Sequence, residues 1–324
     1  MSERSSVAAA ATTWVRERIA RPSRPAEIVH RGGHAVYLDD GTDVLAVVGA
    51  AGVRVPCAAQ TTLSSLEGLT GAGSTVTVGD GRMVFAGGEV RIARTVDQHV
   101  PSLDPASAAS ARDRLGDAVP AAIAAELPAD ALDGLRAADP TAPLALAGLG
   151  SGLTPLGDDV LCGWIATMVA AGRLAQSPVL EAIDAPLLAR TTSLSATLVR
   201  CALEGFVIPE FAQLLDSLRA AQSRIEPADA AATMLRVGHT SGAGLVLGLT
   251  LALDHLAAHP PLGGELSRTF GAQVRDNSPT LPRVRDSSPT LPRVRDSSPP
   301  AARELHHPTT DSHTSTPSVT RSCP

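Results

Sequence analysis

Lysine is absent from this 324-residue chain, whose 27 basic residues are all arginine. A chain without lysine cannot form a Schiff base on a lysine amine, hold pyridoxal phosphate through one, or use a P-loop lysine. Aromatic residues make up only 2% of the chain, and its net charge is −6. The sequence therefore lacks both the basic surface and the stacking side chains that nucleic-acid binding needs.

Cysteines and long apolar runs are also scarce. The four cysteines are Cys57, Cys162, Cys201 and Cys323. Their spacing matches no metal-binding motif, and Cys162 and Cys201 are predicted to be small core residues. Arg16 and Arg18 interrupt the N-terminal segment, which lacks the apolar stretch of a signal peptide. No apolar run reaches roughly 18 residues, so we expect a cytoplasmic protein without a membrane span.

Residues 29–104 are predicted to form a small antiparallel β module, sandwich-like or barrel-like. The short β-branched runs in this region are HAVYL, DVLAVVGA, VRVPCAA, STVTV, MVFAGG and EVRIA. DDGT and GDGR between them are typical of hairpin turns, because glycine allows a positive φ. Residues 1–28 are predicted to form a short helix and a connector broken by proline. The apolar positions of that helix are Val7, Ala11, Trp14 and Val15.

Residues 105–262 are rich in alanine and predicted to form a helical domain, which makes the fold class α+β. The predicted helices cover 105–116, 118–126, 129–137, 157–171, 178–204, 208–222, 226–236 and 241–258. Residues 263–324 contain the ten-residue repeat VRDNSPTLPR and VRDSSPTLPR and have little to bury. They are predicted to be a disordered tail.

The stretch GLGSGLTPLGDD, residues 148–159, leads directly into the apolar run VLCGWIATMVAAG. Thr154 followed by Pro155 fits a helix start, and Asp158 is the alternative cap. Because the run is apolar on all faces, we expect the helix to be buried. Free N–H groups at its start would suit a phosphate or carboxylate. The substrate-binding candidates in this stretch are Gly150, Gly152, Thr154 and Gly157.

The adjacent carboxylates of Asp158 and Asp159 have two interpretations. They could cap the helix and interact with its dipole. They could instead hold a Mg²⁺ ion that screens a phosphorylated ligand, which makes them candidates for catalysis and for metal binding. The stretch lacks the Gly-Lys-Ser/Thr ending of a P-loop and the spacing of a Rossmann fingerprint, so neither motif is predicted.

A second motif, VGHTSGAGLVLGLTLAL at residues 237–253, again places a polar turn before an apolar helix. Ser241 or Thr240 could cap this helix. The substrate-binding candidates are Thr240, Ser241 and Gly242. The glycines that would allow close approach of a helix or ligand are Gly242, Gly244 and Gly248. His239 lies in the turn, where it could be a hydrogen-bonded structural residue, a catalytic proton donor or an anchor for a ligand.

A third segment, RTTSLSATLVRCALEG at residues 190–205, carries polar side chains within a predicted helix. Such side chains most often lie at the solvent edge of a helix. If the three segments converge, however, Arg190, Thr192 and Ser195 would add hydrogen-bond donors to an anion-binding pocket.

Together these segments resemble a bacterial family that includes the AllH-type subunit of oxamate carbamoyltransferase. Its hallmark is close to G-x-G-x-G-L-T-P-S-G-D-D, and the resemblance covers approximately residues 30–260. Leu156 stands where that motif has serine, and Gly244 stands where a polar or acidic residue is expected. The matching positions are Gly152, Thr154, Gly157, Asp158, Asp159, His239, Ser241 and Gly242.

The resemblance implies a β-rich part followed by helices and a role in allantoin or purine nitrogen catabolism. The implied reaction transfers a carbamoyl group between oxalurate and phosphate, giving oxamate and carbamoyl phosphate. The implied partners are a small anionic substrate and the other subunits of a hetero-oligomeric complex. The residues themselves leave two alternatives open: a non-catalytic scaffold subunit whose glycines serve helix packing, and an Asp-based metal hydrolase.

Overall fold

A computed structural model describes residues 5–119, 121–219 and 223–261. The predicted disordered tail, residues 263–324, lies outside the described residues. A β-barrel forms the N-terminal part of the chain and a helical region follows it. The predicted α+β fold class is thereby confirmed, and both parts belong to one compact unit of the chain.

Eight strands form the closed barrel. They are β1 Ser5–Ala11, β2 Arg24–Arg31, β3 Ala35–Asp39, β4 Val44–Val48, β5 Ala58–Gln60, β6 Thr75–Gly79, β7 Arg82–Val84 and β8 Gly88–Thr95. Their order around the barrel is β1-β5-β4-β3-β2-β6-β7-β8. Two neighbouring pairs are parallel, β1 with β8 and β4 with β5. The predicted antiparallel module is therefore a mixed barrel. One parallel pair arises where the first and last strands close the barrel. The other arises where β5 runs in the same direction as β4.

The predicted N-terminal helix is wrong for Val7 and Ala11, which lie in β1. Helix α1, Thr13–Ile19, begins only after Thr12, whose hydroxyl accepts a hydrogen bond from the Val15 N–H at 3.3 Å. The apolar spacing fits a helix, but pairing with β8 along the whole of β1 decides the structure. Part of the predicted connector is also a strand, since β2 begins within it.

Both predicted hairpin turns are confirmed. DDGT joins the antiparallel strands β3 and β4, and GDGR joins β6 and β7. Gly41 and Gly81 have φ angles of 85° and 78°, the left-handed values that these turns need. In the first turn, Asp40 Oδ1 accepts hydrogen bonds of 2.9 Å from the backbone N–H groups of Thr42 and Asp43.

Helix α1 and helix α2, Glu67–Thr70, belong to the barrel part, and the helices from α3 onward form the helical region. They are α3 Ala108–Leu115, α4 Ala121–Ala124, α5 Ala129–Ala137, α6 Ala142–Leu146, α7 Leu156–Ala170, α8 Pro178–Ala182, α9 Ala185–Leu188, α10 Ser193–Leu203, α11 Pro209–Leu218, α12 Pro227–Met234 and α13 Ser241–Ala258. The predicted bounds of α5 and α13 agree with the structure, whereas the short helix α6 is an addition.

The single helix predicted over 178–204 is wrong, since the structure has α8, α9 and α10 there. Two polar side chains start new helices inside this range. Asp184 Oδ1 accepts from the Leu187 N–H at 2.8 Å, and Thr192 Oγ1 accepts from the Ser195 N–H at 3.1 Å. Each bond satisfies a backbone donor at a helix start and so favours a break in the chain's helical path.

The core of the helical region is the contact between α7 and α13. All but one residue of α7 are buried, as its apolar sequence predicts. A Cβ on Gly163 would lie 2.1 Å from the Leu245 carbonyl oxygen, and one on Gly248 would lie 2.1 Å from the Val160 carbonyl oxygen. Only glycine allows these backbones to approach so closely. By length and composition alone α13 could cross a membrane, but most of it is buried against the protein.

An ion-pair network joins the barrel to the helices. Asp43, only 4% exposed, accepts bonds of 2.9 Å from Arg18 Nε and from Arg200 Nε. The Arg18 guanidinium lies 3.4 Å from the centre of the Trp14 ring, within cation–π range. The Asp43 carboxylate, between β3 and β4, thus links helix α1 to helix α10.

Candidate functional site

The two glycine-rich motifs meet at their helix starts. Thr154 Oγ1 and Ser241 Oγ are hydrogen-bonded at 2.9 Å. The predicted caps of α7 are wrong: Pro155 occupies the N-cap position without a side-chain bond, and Asp158 lies in the first turn. Thr240 is at the N-cap of α13 but makes no side-chain cap bond either. The Thr154 and Ser241 hydroxyls therefore link the two motifs to each other.

The third segment also reaches the first motif. Thr192 Oγ1 donates to the Leu153 carbonyl oxygen at 2.6 Å, in addition to capping α10. Ser195 is buried, and its Oγ has no hydrogen-bond partner among the described residues. Arg190 is exposed, and its carbonyl oxygen lies against Gly148, at the start of the glycine-rich loop. The three segments converge, with Arg190 at the surface.

Asp158 holds this arrangement together. It is 2% exposed, and Oδ1 accepts a 2.9 Å bond from the Gly148 N–H while Oδ2 accepts from the Thr191 hydroxyl. Burial raises the pKa of Asp158, and the hydrogen bonds from Thr191 and Gly148, together with the nearby Ser195 hydroxyl, oppose that effect. Because both oxygens are engaged, Asp158 serves to connect the loop before α7 with the segment before α10.

Asp159 has different surroundings from its neighbour. It is 5% exposed, and its Oδ2 atom is buried without a hydrogen-bond partner in the described part of the chain. Burial raises the pKa of Asp159 to about 8, against the effect of the nearby Ser241 hydroxyl and with a smaller contribution from Asp158. At neutral pH this side chain is mainly a neutral acid that can donate a hydrogen bond or a proton.

A cavity of about 240 Å³ lies beside Asp159, between the barrel and the helices. The lining residues with polar side chains are Tyr37, Thr154, Asp159, Cys162 and Ser241. Burial raises the pKa of Tyr37 to about 12 and that of Cys162 well above its usual value. The other lining residues are mostly apolar, so an occupant would contact neutral polar groups on an apolar wall.

The amides predicted to bind an anion are largely occupied. The Gly157 N–H donates to the Leu149 carbonyl at 2.8 Å, and those of Asp158 and Asp159 donate to Pro155 at 3.0 and 3.2 Å. At α13, the Gly242 N–H donates to the Val237 carbonyl at 2.9 Å. The loop that precedes each helix folds back onto its first turn, which uses these donors within the protein.

Several candidate glycines make close backbone contacts. A Cβ on Gly157 would lie 2.0 Å from the Leu146 carbonyl oxygen, and one on Gly242 would lie 1.8 Å from that of Met234. Gly150 and Gly152 have φ angles of 117° and 89° in the exposed loop, and the Gly152 Cβ position is open. Packing explains the first two glycines and backbone conformation the other two.

The residues around the Asp pair do not fit a magnesium site. The described residues contain no group of three or more His, Cys, Asp or Glu side chains that could hold a metal ion. Both Asp158 oxygens already accept hydrogen bonds, so only the Asp159 carboxyl of the pair has an oxygen without a partner among the described residues. His239 is exposed in the turn before α13 and is not among the residues that line the cavity.

Sequence reasoning missed the barrel side of the cavity and the segment after α10. The residues concerned are Tyr37, Val53, Val55, Pro56, Phe206, Val207, Ile208 and Phe211. One signal was available, because Tyr37 is the chain's single tyrosine. Its phenol stands out in a sequence so poor in aromatic residues, but nothing local connects it to residues more than one hundred positions away.

The fold and the site define a protein with a mixed β-barrel, a helical region and a cavity where two glycine-rich motifs meet. Residues 146–253 match the family model described as oxamate carbamoyltransferase subunit AllH. The match covers about a third of the chain and supports the predicted resemblance to the AllH-type family over that segment, which includes the candidate residues of both motifs. No curated protein and no solved structure matches the chain.

The raised pKa of Asp159 predicts a pH-dependent effect of Asp159→Asn on stability. The folded pKa is about 8 and the unfolded value is about 3.9. Stability associated with this carboxyl is therefore present below the unfolded pKa and is lost as pH rises through the folded one, by about 1.4 kcal/mol per pH unit. Asparagine does not ionise, so the variant should gain stability relative to the parent between pH 5 and pH 8.

Urea unfolding of both proteins at several pH values measures this difference. The exposed Asp113→Asn is the matched control and should change stability by less than about 0.5 kcal/mol, because it is a surface substitution. Parallel stability curves for the parent and Asp159→Asn would show that the Asp159 carboxyl titrates normally.

Proposed function

We propose that this chain is a subunit of a carbamoyltransferase that acts on a small ureide, together with other subunits of a complex. The AllH match over residues 146–253 supports the reaction class. The observation that carries the proposal for this chain is the unpartnered Oδ2 of Asp159 beside the cavity where the two motifs meet. A cytoplasmic location belongs to the same proposal, and the role in allantoin or purine nitrogen catabolism stays a prediction.

In the proposed reaction, a phosphate oxygen attacks the terminal carbonyl carbon of the ureide. The bond between that carbon and the inner nitrogen breaks, and the nitrogen leaves with the electron pair as an amide. Asp159 donates its proton to this nitrogen and takes up the proton of the attacking hydrogen phosphate, so the carboxyl is regenerated. The products are an amide and carbamoyl phosphate, and atoms and charge balance.

The hydroxyls of Thr154 and Ser241 are proposed to donate to the carbonyl oxygen on which negative charge develops. They lie at the cavity and already share a hydrogen bond. Leu153 lines the cavity and is 39% exposed, which supports the proposal that the cavity opens to solvent beside the glycine-rich loop. This opening is called the mouth of the cavity.

Phosphate is proposed to approach at this mouth, near the exposed Arg190, whose backbone contacts the start of the loop. A guanidinium is suited to phosphate because it offers several donors in one plane. Two further sets of roles stay predictions. One is proton donation by His239, and the other is substrate binding by Gly150, Gly152, Thr192, Ser195 and Thr240.

Asp159→Asn in the complex assembled with its partner subunits tests the catalytic proposal. Removing a general acid should lower kcat for carbamoyl phosphate formation by at least about 100-fold, with KM little changed. Asp113→Asn, on the exposed face of α3, should keep the parental rate. Near-normal turnover by a folded Asp159→Asn complex would contradict the assignment.

A scaffold subunit is the second candidate, and the close backbone contacts of Gly157, Gly163 and Gly248 favour it. These contacts explain the glycines by packing, without a ligand. On this alternative, Asp159→Asn would change the stability of the chain and leave the rate of the complex unchanged.

A further inference from the structure

Most of the residues that line the cavity beside Asp159 are apolar, although a carbamoyl group is small and polar. Val55 and Pro56 contribute from the barrel, Leu194 and Leu198 from α10, and Phe206 and Ile208 from the segment that follows it. A volume of about 240 Å³ is many times the ~10–15 Å³ that a cavity needs to hold one water molecule. A small organic molecule, larger than the carbamoyl group alone, would fill it.

Positive charge is missing from this wall. The residues lining the cavity in the described part of the chain include no arginine or histidine, and the sequence has no lysine. A carboxylate placed here would leave water without a cation to compensate it and would face the Asp159 carboxyl. An uncharged group avoids both costs, and a carbonyl or amide can still accept from Asp159.

We infer that the substrate of this chain is an N-acylurea whose acyl end is uncharged and apolar, bound with that end inside the cavity. The inference rests on the proposed function and specifies its substrate. The inner nitrogen then lies beside Asp159, the apolar acyl group lies among Val55, Leu194 and Ile208, and the terminal carbamoyl group faces the mouth. Attack by hydrogen phosphate on the carbamoyl carbon releases the apolar primary amide and gives carbamoyl phosphate, with the proton passing to the inner nitrogen.

Calorimetric titration of the full chain with N-isobutyrylurea and with oxalurate tests this substrate class. The two ureides have the same number of non-hydrogen atoms and differ in an isopropyl group against a carboxylate. N-isobutyrylurea should bind at least about tenfold more tightly, because the apolar wall favours its burial and no cation compensates oxalurate. Asp159→Ala should weaken N-isobutyrylurea binding, since the donor to the ureide is lost.

A second variant is expected to shift the binding preference from N-isobutyrylurea toward oxalurate. Leu198 is half-buried at the cavity, so Leu198→Arg adds a guanidinium with access to solvent. Oxalurate should gain affinity in this variant and N-isobutyrylurea should lose it. Circular dichroism checks that the variant is folded, and Val53→Arg at the exposed rim provides the same change if it is not.

The outcomes separate this inference from the proposed function. Equal or tighter binding of oxalurate by the parent chain, or no binding of N-isobutyrylurea, overturns the inference. Carbamoyl phosphate formation from oxalurate by the assembled complex would then leave the proposed function standing. Tight binding of N-isobutyrylurea with no carbamoyl phosphate from either ureide would support the cavity's selectivity and overturn the proposed transfer.

Discussion

Gly248→Ala is expected to destabilise the protein by about 3 kcal/mol or more, at or beyond the upper end of overpacking effects. The added Cβ would lie 2.1 Å from the Val160 carbonyl oxygen and 2.7 Å from the Trp164 backbone nitrogen. Both atoms belong to the backbone of α7, so no side chain can rotate away. The two helices would have to separate at the centre of the core, which loses packing along both.

Urea unfolding monitored by circular dichroism measures this effect. Gly68→Ala is the matched control, since Gly68 is exposed in α2 and no described atom outside its own helical turn lies within 4 Å of its Cβ position. That control should be neutral or gain about 0.5–1 kcal/mol, because alanine restricts the unfolded chain. Equal stability of the two variants would mean that α7 and α13 are not in backbone contact.

Asp43→Asn is expected to cost about 3–5 kcal/mol of unfolding free energy, the range for removing one partner of a buried ion pair. The carboxylate is 4% exposed and accepts from both Arg18 and Arg200 at 2.9 Å. Asparagine keeps the shape but removes the negative charge, so two guanidinium groups would remain without compensation from it. Arg18 still contacts Glu204 at 3.1 Å, which limits the loss.

The exposed pair of Asp216 and Arg219 provides the comparison. Its atoms are 3.2 Å apart, but both side chains are about half exposed. Asp216→Asn should therefore change stability by less than about 1 kcal/mol. Similar losses for the two variants in chemical denaturation would show that Asp43 is not the buried centre of a network.

The sequence predicted the fold class because its signals were local. DDGT and GDGR specify hairpins through glycine, and the apolar runs after Asp159 and Ser241 specify buried helices. Local signals could not show that Ser5–Ala11 closes a barrel, since its partner strand lies about eighty residues away. The breaks within 178–204 have local causes, the caps at Asp184 and Thr192, that helix periodicity alone overlooks.

The candidate site was predicted in part. The motifs marked the right segments, since Thr154 contacts Ser241 and Thr192 contacts Leu153. The sequence could not separate the roles of Asp158 and Asp159, because only burial and hydrogen bonding in the folded chain distinguish them. It also could not show that the amide donors are used internally.

A ¹³C NMR titration of the Asp159 carboxyl, assigned with Asp159→Asn and run with and without N-isobutyrylurea, tests whether this carboxyl is a buried neutral acid that donates to the ligand. A buried neutral acid that donates to a ligand should titrate near pH 8 in the free protein and at higher pH with the ligand, because binding favours the protonated form. A midpoint near the ordinary aspartate value of about 4, unmoved by the ligand, would contradict the account.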